Sequence, residues 1–309
     1  MISTVTLNPA LDKCVYVETL LPNDTNRIVK VEVDAGGKGF NASRVLKELG
    51  SETIALGFLG GQTGKYIEHV LRSDGISVDA VYTGSDTRTN ICIQDISGLP
   101  PTTLNEAGAR TSEEELEALF AKVMQVASKS SMIVIAGSLP PGAPVDTYKR
   151  LVKLACEAGS KVILDSDGEP MRIGMEAAPF MIKPNRDEVG RLVDIDIQSN
   201  EDAARAAELL ASRGIELIVI SMGSRGALVR SREGTWFASP PDIKPVSTIG
   251  SGDSMVAGFA HALSQGRPIV EALMWGSAAG AATAMTDGTG ICKRHQVLEL
   301  LDKVQVQEL

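Results

Sequence analysis

Ser247-Thr248-Ile249-Gly250-Ser251-Gly252-Asp253-Ser254 sets two glycines around a serine and follows them with an acid. The apolar run Met255–Leu263 comes next and reads as helix. A glycine-rich turn that opens a helix is suited to anions: its first backbone N–H groups lack intrahelical partners, and the helix dipole adds partial positive charge there. Gly250 and Gly252 also let a ligand come close to the backbone. Asp253 falls in the first turn, where its carboxylate would repel a resting anion; a proton-accepting job is one reason to place it there. Taken alone, the stretch fits a plain helix start with an acidic first-turn residue equally well.

Other stretches carry weaker chemistry. Gly37-Lys38-Gly39-Phe40-Asn41-Ala42 fits the dinucleotide pattern GxGxxA, but no acid stands about 20 residues on, where a ribose would need one. Gly60-Gly61-Gln62-Thr63-Gly64-Lys65-Tyr66 approaches a phosphate P-loop, yet Leu59 occupies the first glycine position and Tyr66 the metal-binding hydroxyl position; it reads as a glycine turn into a helix. Asn185 and Glu188, in Lys183-Pro184-Asn185-Arg186-Asp187-Glu188, have the spacing of a capping box. Ser221-Met222-Gly223-Ser224-Arg225-Gly226 and Gly137-Ser138-Leu139-Pro140-Pro141-Gly142 are further turns at expected strand ends. Each of Arg27, Lys38 and Arg88, taken singly, reads as an ordinary solvated charge.

The whole chain narrows the choice. Its 309 residues suit one large domain, or one with a small appendage. Apolar residues make up 43% but aromatics only 4%, so the core must be aliphatic. A net charge of −9 argues against a nucleic-acid or anionic-membrane surface, and an anionic substrate would need a local basic pocket. Cys14, Cys92, Cys156 and Cys292, with His69, His261 and His295, show no zinc spacing. The start of the chain runs straight into a strand pattern, without the features of a secretory leader, and no apolar run is long enough to span a bilayer. The expectation is a cytoplasmic protein with reduced thiols.

Short apolar runs at 2–8, 53–58, 132–136, 161–165, 180–182 and 217–221 alternate with helical patterns, one opened by Gly36-Gly37-Lys38-Gly39 and running through 49 and others at 63–73, 112–127, 145–158, 185–192 and 200–212. A hairpin-like section at 226–238 follows, and helices at 253–265, 269–285 and 295–303 finish the chain. Such alternation predicts a mainly parallel sheet covered by helices on both faces, with a ligand site at the carboxyl ends of the strands. Half-polar strand patterns at 14–18, 27–34, 89–96 and 102–105 do not belong to that sheet. They predict a small separate β-sheet, made of insertions at about 12–35 and 87–106, that acts as a lid.

In order, these pieces resemble the PfkB branch of the ribokinase-like sugar kinases over nearly the whole chain. The resemblance rests on Thr6-Leu7-Asn8-Pro9-Ala10-Leu11-Asp12, Ala35-Gly36-Gly37-Lys38-Gly39-Phe40-Asn41-Ala42-Ser43, Ala136-Gly137-Ser138-Leu139-Pro140-Pro141-Gly142, Lys183-Pro184-Asn185 with Glu188, and the Gly250–Asp253 stretch. It implies a three-layer α/β/α fold and ATP-dependent phosphorylation of a sugar hydroxyl. It implies Asp253 as the base and Gly250, Ser251 and Gly252 as an anion hole for the transferred phosphoryl group. Lys183, Asn185, Ser221, Gly223, Gly226, Gly250 and Gly252 would hold the nucleotide, with Ser277 and Ala281 flanking adenine. Magnesium would ride on the ATP phosphates, with Asn185 and Glu188 near it through water.

Many relatives carry Asp-Thr before the glycines, where this chain has Ser247-Thr248. In that respect, and in Lys38, the sequence is similar to the phosphosugar branch. There Asp12, Gly37 and Asn41 look like ligands of the sugar, while Arg27, Lys38, Arg88 and Ser138 look like ligands of the phosphate it already carries. Thr87-Arg88-Thr89-Asn90 and Asn105-Glu106-Ala107-Gly108 look most like fructose-1-phosphate kinases, with tagatose-6-phosphate kinases and 6-phosphofructokinases as alternatives. A non-catalytic sugar-phosphate sensor would need a degraded base or anion hole, and both are intact. Lid strands in this family often pair between subunits, so the resemblance implies a homodimer.

Overall fold

The computed structural model describes residues 1–309. The main sheet has eleven strands. Ile2–Thr6 lies inside it, towards one end, parallel to Thr53–Gly60 on one side and to Met132–Ala136 on the other. The parallel order continues through Lys161–Asp165, Met181–Ile182 and Leu217–Ser221. Ala227–Arg230 and Thr235–Ser239 then add antiparallel strands. The central strands are buried along their whole length, as parallel strands covered on both faces must be.

Two aliphatic cores fill the two faces. One lies under the helices Glu113–Ala127, Thr147–Glu157 and Asn200–Ala211, and includes Val5, Ile135, Leu164 and Ile220. The other lies under Lys38–Leu49, Ser251–Ser264, Ile269–Ala284 and Arg294–Leu301, and includes Val134, Ile163 and Val219. Neighbouring residues of one strand thus feed opposite cores, as the pleat dictates. In the second layer, Ser251–Ser264 and Ile269–Ala284 cross at small residues: a Cβ on Gly258 would lie 2.5 Å from the Trp275 carbonyl oxygen, and one on Gly276 would lie 2.4 Å from the Phe259 ring. This close crossing fixes the helix that carries Asp253.

The separate small sheet has four strands, ordered Ile28–Gly36, Ala10–Val17, Arg88–Asp95 and Thr102–Asn105. Ala10–Val17 runs parallel to Arg88–Asp95 and antiparallel to Ile28–Gly36. Register places Asp12 beside both Asp34 and Asn90. One face therefore bears Asp12, Asp34, Glu32, Tyr16 and Asn90, while Val31, Val33, Ile91, Ile93 and Leu104 occupy the other.

Four strands and α-helices were not foreseen. Gln305–Glu308 pairs antiparallel with Thr235–Ser239, so the chain ends on a strand and not on a helix. Its four residues include two glutamines, and only the open edge of the sheet gives it a partner. Gly168–Gly174 is helical, and Ser77–Val78 and Val81–Thr83 are short strands alongside Thr53–Gly60. All are too short for periodicity to register.

Candidate active site

The Gly250–Asp253 turn has the form its residues demand. Gly250 is the N-cap of Ser251–Ser264 at φ +75, a left-handed conformation that glycine adopts without Cβ strain. Asp253 is then the third helical residue, in the first turn and 8% exposed. Its Oδ2 accepts a hydrogen bond from Asn41 Nδ2 at 2.9 Å. The Lys38–Leu49 helix starts at Gly37, so Asn41 comes from its first turn, and two helix N-termini face each other across the site.

Lys183, only 4% exposed, points at the same turn: a Cβ on Gly252 would lie 3.4 Å from its Nζ. The buried hydroxyls of Ser251 and Ser277 have no protein partner. Ser277 and Ala281 lie one helical turn apart on Ile269–Ala284, which passes over Ser251: a Cβ on Gly280 would lie 3.1 Å from the Ser251 carbonyl oxygen. First-turn N–H groups, a buried ammonium and unpaired hydroxyls are the donors an anion needs. Ser221 joins this edge through a parallel bridge to Asn185, with Gly223 and Gly226 in the turn that follows.

Asp165 completes the centre, and the sequence reading missed it. It ends Lys161–Asp165 with 1% exposure, and its Oδ1 lies 3.2 Å from Lys38 Nζ and 3.6 Å from Lys183 Nζ. Its Oδ2 is buried without a partner. An acid closing the apolar run Lys161-Val162-Ile163-Leu164-Asp165, at the carboxyl end of a buried strand, was the available signal.

Burial first, and neighbouring charge second, set the Asp253 carboxyl. Burial pushes its pKa up to about 6, the Lys38 ammonium pulls against that, and Asp165 adds to the rise. A helix N-terminus alone would keep the carboxylate ionised well below neutrality; burial brings its titration close to pH 7 instead. Lys38 in turn is held well above its usual value, first by Asp165 and then by Asp253 and Glu188, against the effect of burial. Lys38→Met should therefore raise the Asp253 pKa. The acid limb of the kcat/KM–pH profile, expected near 6, should move to higher pH, and an unmoved limb would show that Asp253 does not set it.

The three cations expected to share one phosphate pocket are not brought together. Lys38 sits on Asp165. Arg88 donates to the carbonyl oxygens of Pro9 at 3.4 Å, Glu106 at 2.7 Å and Asn8 at 3.0 Å, which ties the root of the small sheet together. A guanidinium has five donors, so some remain for a ligand. Arg27 is exposed beyond the Val17–Ile28 end of the ladder, about 17 Å along the strand from Asp12, and meets no acid. Strand register, which depends on where the turn falls, put it there.

Asp12 does reach the site face. Its Oδ1 accepts from Asn90 Nδ2 at 2.9 Å, and burial raises its pKa against that bond and the Arg88 charge. A Cβ on Gly36 would lie 2.0 Å from the Asp12 carboxylate, so only glycine leaves room there. Ser138 is bound to Asn8, whose Nδ2 donates to Ser138 Oγ at 3.2 Å. Neither Asn8 nor Asn90 was singled out from the sequence, although both stand in motifs quoted above.

Asn185 and Glu188 form the capping box in full: Glu188 Oε2 accepts from Asn185 N, and Asn185 Oδ1 accepts from Glu188 N, both at 2.8 Å. No group of three or more His, Cys, Asp or Glu side chains converges on one point as a protein metal site requires. The oxygens left over are Glu188 Oε1 and the orphaned Asp165 Oδ2. This sparse, hard-oxygen set fits an ion carried chiefly by substrate phosphates.

The pfkB family carbohydrate kinase profile matches residues 5–296. A Bacillus subtilis protein named 1-phosphofructokinase is 36% identical over 309 residues, covering 100% of both chains. The Escherichia coli phosphofructokinase-2, solved in complex with substrates and products, superposes with a TM-score of 0.93 at 29% identity, covering 97% of this chain and 98% of that one. Arabidopsis thaliana ribokinase, at 23% identity and a TM-score of 0.79 over 97% of this chain and 98% of that one, shares the fold. Three layers around a mostly parallel sheet, with a small second sheet, make up a ribokinase-like fold, and the profile match makes the class carbohydrate kinase. The chain belongs to the pfkB family of carbohydrate kinases.

Proposed function

We propose that this kinase transfers the γ-phosphoryl group of ATP to D-fructose 1-phosphate, forming fructose 1,6-bisphosphate and ADP. The observation that carries the chemistry is the buried Asp253 carboxylate, held by Asn41 at the Gly250–Gly252 turn. It takes the proton of the attacking hydroxyl, and its raised pKa makes it a stronger acceptor than a surface aspartate. The Gly250, Ser251 and Gly252 backbone and Lys183 meet the charge that spreads over the transferred phosphoryl oxygens. Lys38 stands between Asp165 and Asp253, where it lowers the cost of an ionised base and meets incoming phosphate.

Ser221, Gly223, Gly226, Ser277 and Ala281 line the nucleotide side, with Lys183 and Asn185 at the phosphates. Asn185 and Glu188 would reach, through water, a magnesium ion carried by ATP, which would neutralise phosphate charge. Asp12, Gly37, Asn41 and Asn90 present polar groups to the sugar, and Arg88 and Ser138 face the phosphate it already carries. The two insertions act as a lid that keeps water from ATP.

The choice of fructose 1-phosphate rests on the full-length likeness to a protein named 1-phosphofructokinase. The E. coli phosphofructokinase-2 likeness favours fructose 6-phosphate as the second candidate. A coupled ADP-release assay offering fructose 1-phosphate, fructose 6-phosphate and tagatose 6-phosphate side by side decides. The expected kcat/KM for fructose 1-phosphate exceeds the others by at least about 10²-fold, because a site that hydrogen-bonds a phosphate at one end of the sugar leaves those groups unpaired when the phosphate is at the other. Equal or negligible rates with all three would overturn the reading.

We also infer a homodimer through the small sheet. Ile28, Val31, Val33 and Leu104 are exposed on or beside its apolar face, and a second copy would cover them as well as its edge strands. A cytoplasmic setting suits four free cysteines and a substrate such as ATP.

A further inference from the structure

The loop between the helices Ile269–Ala284 and Arg294–Leu301 touches both halves of the site. On one side it meets the polar face of the small sheet. Thr289 Oγ1 donates to Asp34 Oδ2 at 2.6 Å, across 255 residues of sequence. Next to it, Gly288 lies flat on the sheet: a Cβ there would lie 2.5 Å from Glu32 Oε2, the oxygen that accepts from Tyr16 OH at 2.6 Å.

On its other side the loop holds the segment that leads into the Gly250 turn. Ser247 Oγ donates to the Gly288 carbonyl oxygen at 2.7 Å. The Val246 and Ser247 amides both donate to the Ala284 carbonyl oxygen, at 2.7 and 3.2 Å. Between these anchors, Thr286 Oγ1 bonds the carbonyl oxygens of Thr283 and Gly290, both at 2.8 Å, which braces the loop internally.

Asp34 is the register partner of Asp12, one strand away on the same face. A shift of the small sheet that re-seats Asp12 therefore carries Asp34, and through Thr289 and Gly288 it pulls on Ser247, three residues before Gly250. We propose that Asp34 and Thr289 are positioning residues, whose hydrogen bond makes the Gly250–Asp253 turn depend on the seating of the small sheet. Sugar-phosphate and nucleotide binding then strengthen one another. The inference rests on the kinase reading for its ligands but not for its mechanical content. By linkage the coupling is reciprocal, and values of 5–150-fold are usual.

Thr289→Val keeps the side-chain shape and removes the donor; Thr289→Ser keeps the donor. With the full chain, the affinity for MgADP is measured by calorimetry, with and without saturating fructose 1-phosphate. The parent is expected to bind MgADP about tenfold more tightly with the sugar phosphate present. Thr289→Val should bring that ratio to within about twofold of unity while leaving the affinity without sugar phosphate within about twofold of the parent, and Thr289→Ser should restore it. An unchanged ratio in Thr289→Val, equal weakening with and without sugar phosphate, or a parent ratio of one overturns the proposal.

Hydrogen exchange of the ligand-free protein provides a readout independent of substrate. The Val246 and Ser247 amides, which Thr289 does not touch, should exchange several-fold faster in Thr289→Val, and unchanged exchange there overturns the proposal. If the parent releases no ADP with fructose 1-phosphate, the substrate reading fails and this exchange comparison decides the coupling alone.

Discussion

Asp253→Asn is expected to fold, to lose about 10²–10⁴ in kcat, the usual worth of a general base, and to melt higher than the parent at pH 7. The gain follows from burial, which raises the folded-state pKa from 3.8 to about 6. The native protein holds that proton more tightly than the unfolded chain does. The corresponding stability is fully present below 3.8 and is lost as pH rises through 6. At neutral pH the ionised side chain costs about 3 kcal/mol, which a neutral isostere does not incur. For a chain of this size that is a rise of about 3–5 °C in Tm. The difference should vanish near pH 4, where the parent carboxyl is protonated. Near-parental turnover would remove Asp253 from its place as base, and a Tm gain that stayed constant with pH would show burial is not its cause.

Asp165→Ala is expected to be among the most destabilising single changes in the protein, by about 3–5 kcal/mol, the range for breaking a buried ion pair. Two ammonium groups depend on this one carboxylate, and Lys183 is only 4% exposed to solvent. Asp165→Ala/Lys183→Met should recover part of the loss, because it removes a charge stranded in the core. Chemical denaturation of the two variants and of Lys183→Met closes the cycle. A single Asp165→Ala within about 0.5 kcal/mol of the parent, the range of an ordinary surface change, would show that the pair is not coupled. Activity should fall as well, since Lys183 loses the group that aims it at Gly252.

What could be read from the chain was largely local. Ser112 and Asn185 announce helix starts because a capping box is closed within three residues, and both boxes form. The Gly250–Asp253 turn was legible for the same reason: cap, dipole and acid lie within four consecutive residues. The buried strands of the main sheet announced themselves as unbroken apolar runs. Gln305–Glu308 did not, because its strand character comes from pairing with Thr235–Ser239 and not from its own residues.

The sequence by itself thus determined the layers, the family and the conformation of the Gly250–Asp253 turn. The tertiary structure decided which charge meets which. Lys38 finds Asp165, 127 residues away, and Arg88 spends donors on three backbone carbonyls. Arg27 is left in solvent, far from Asp12 along the same hairpin. Thr289 finds Asp34 across nearly the whole chain. The physical reason is range. A cap or a glycine turn is closed by atoms a few bonds apart along the backbone, whereas a charge responds to distance and burial in space, which only the packing of the two cores and the register of the small sheet bring into being.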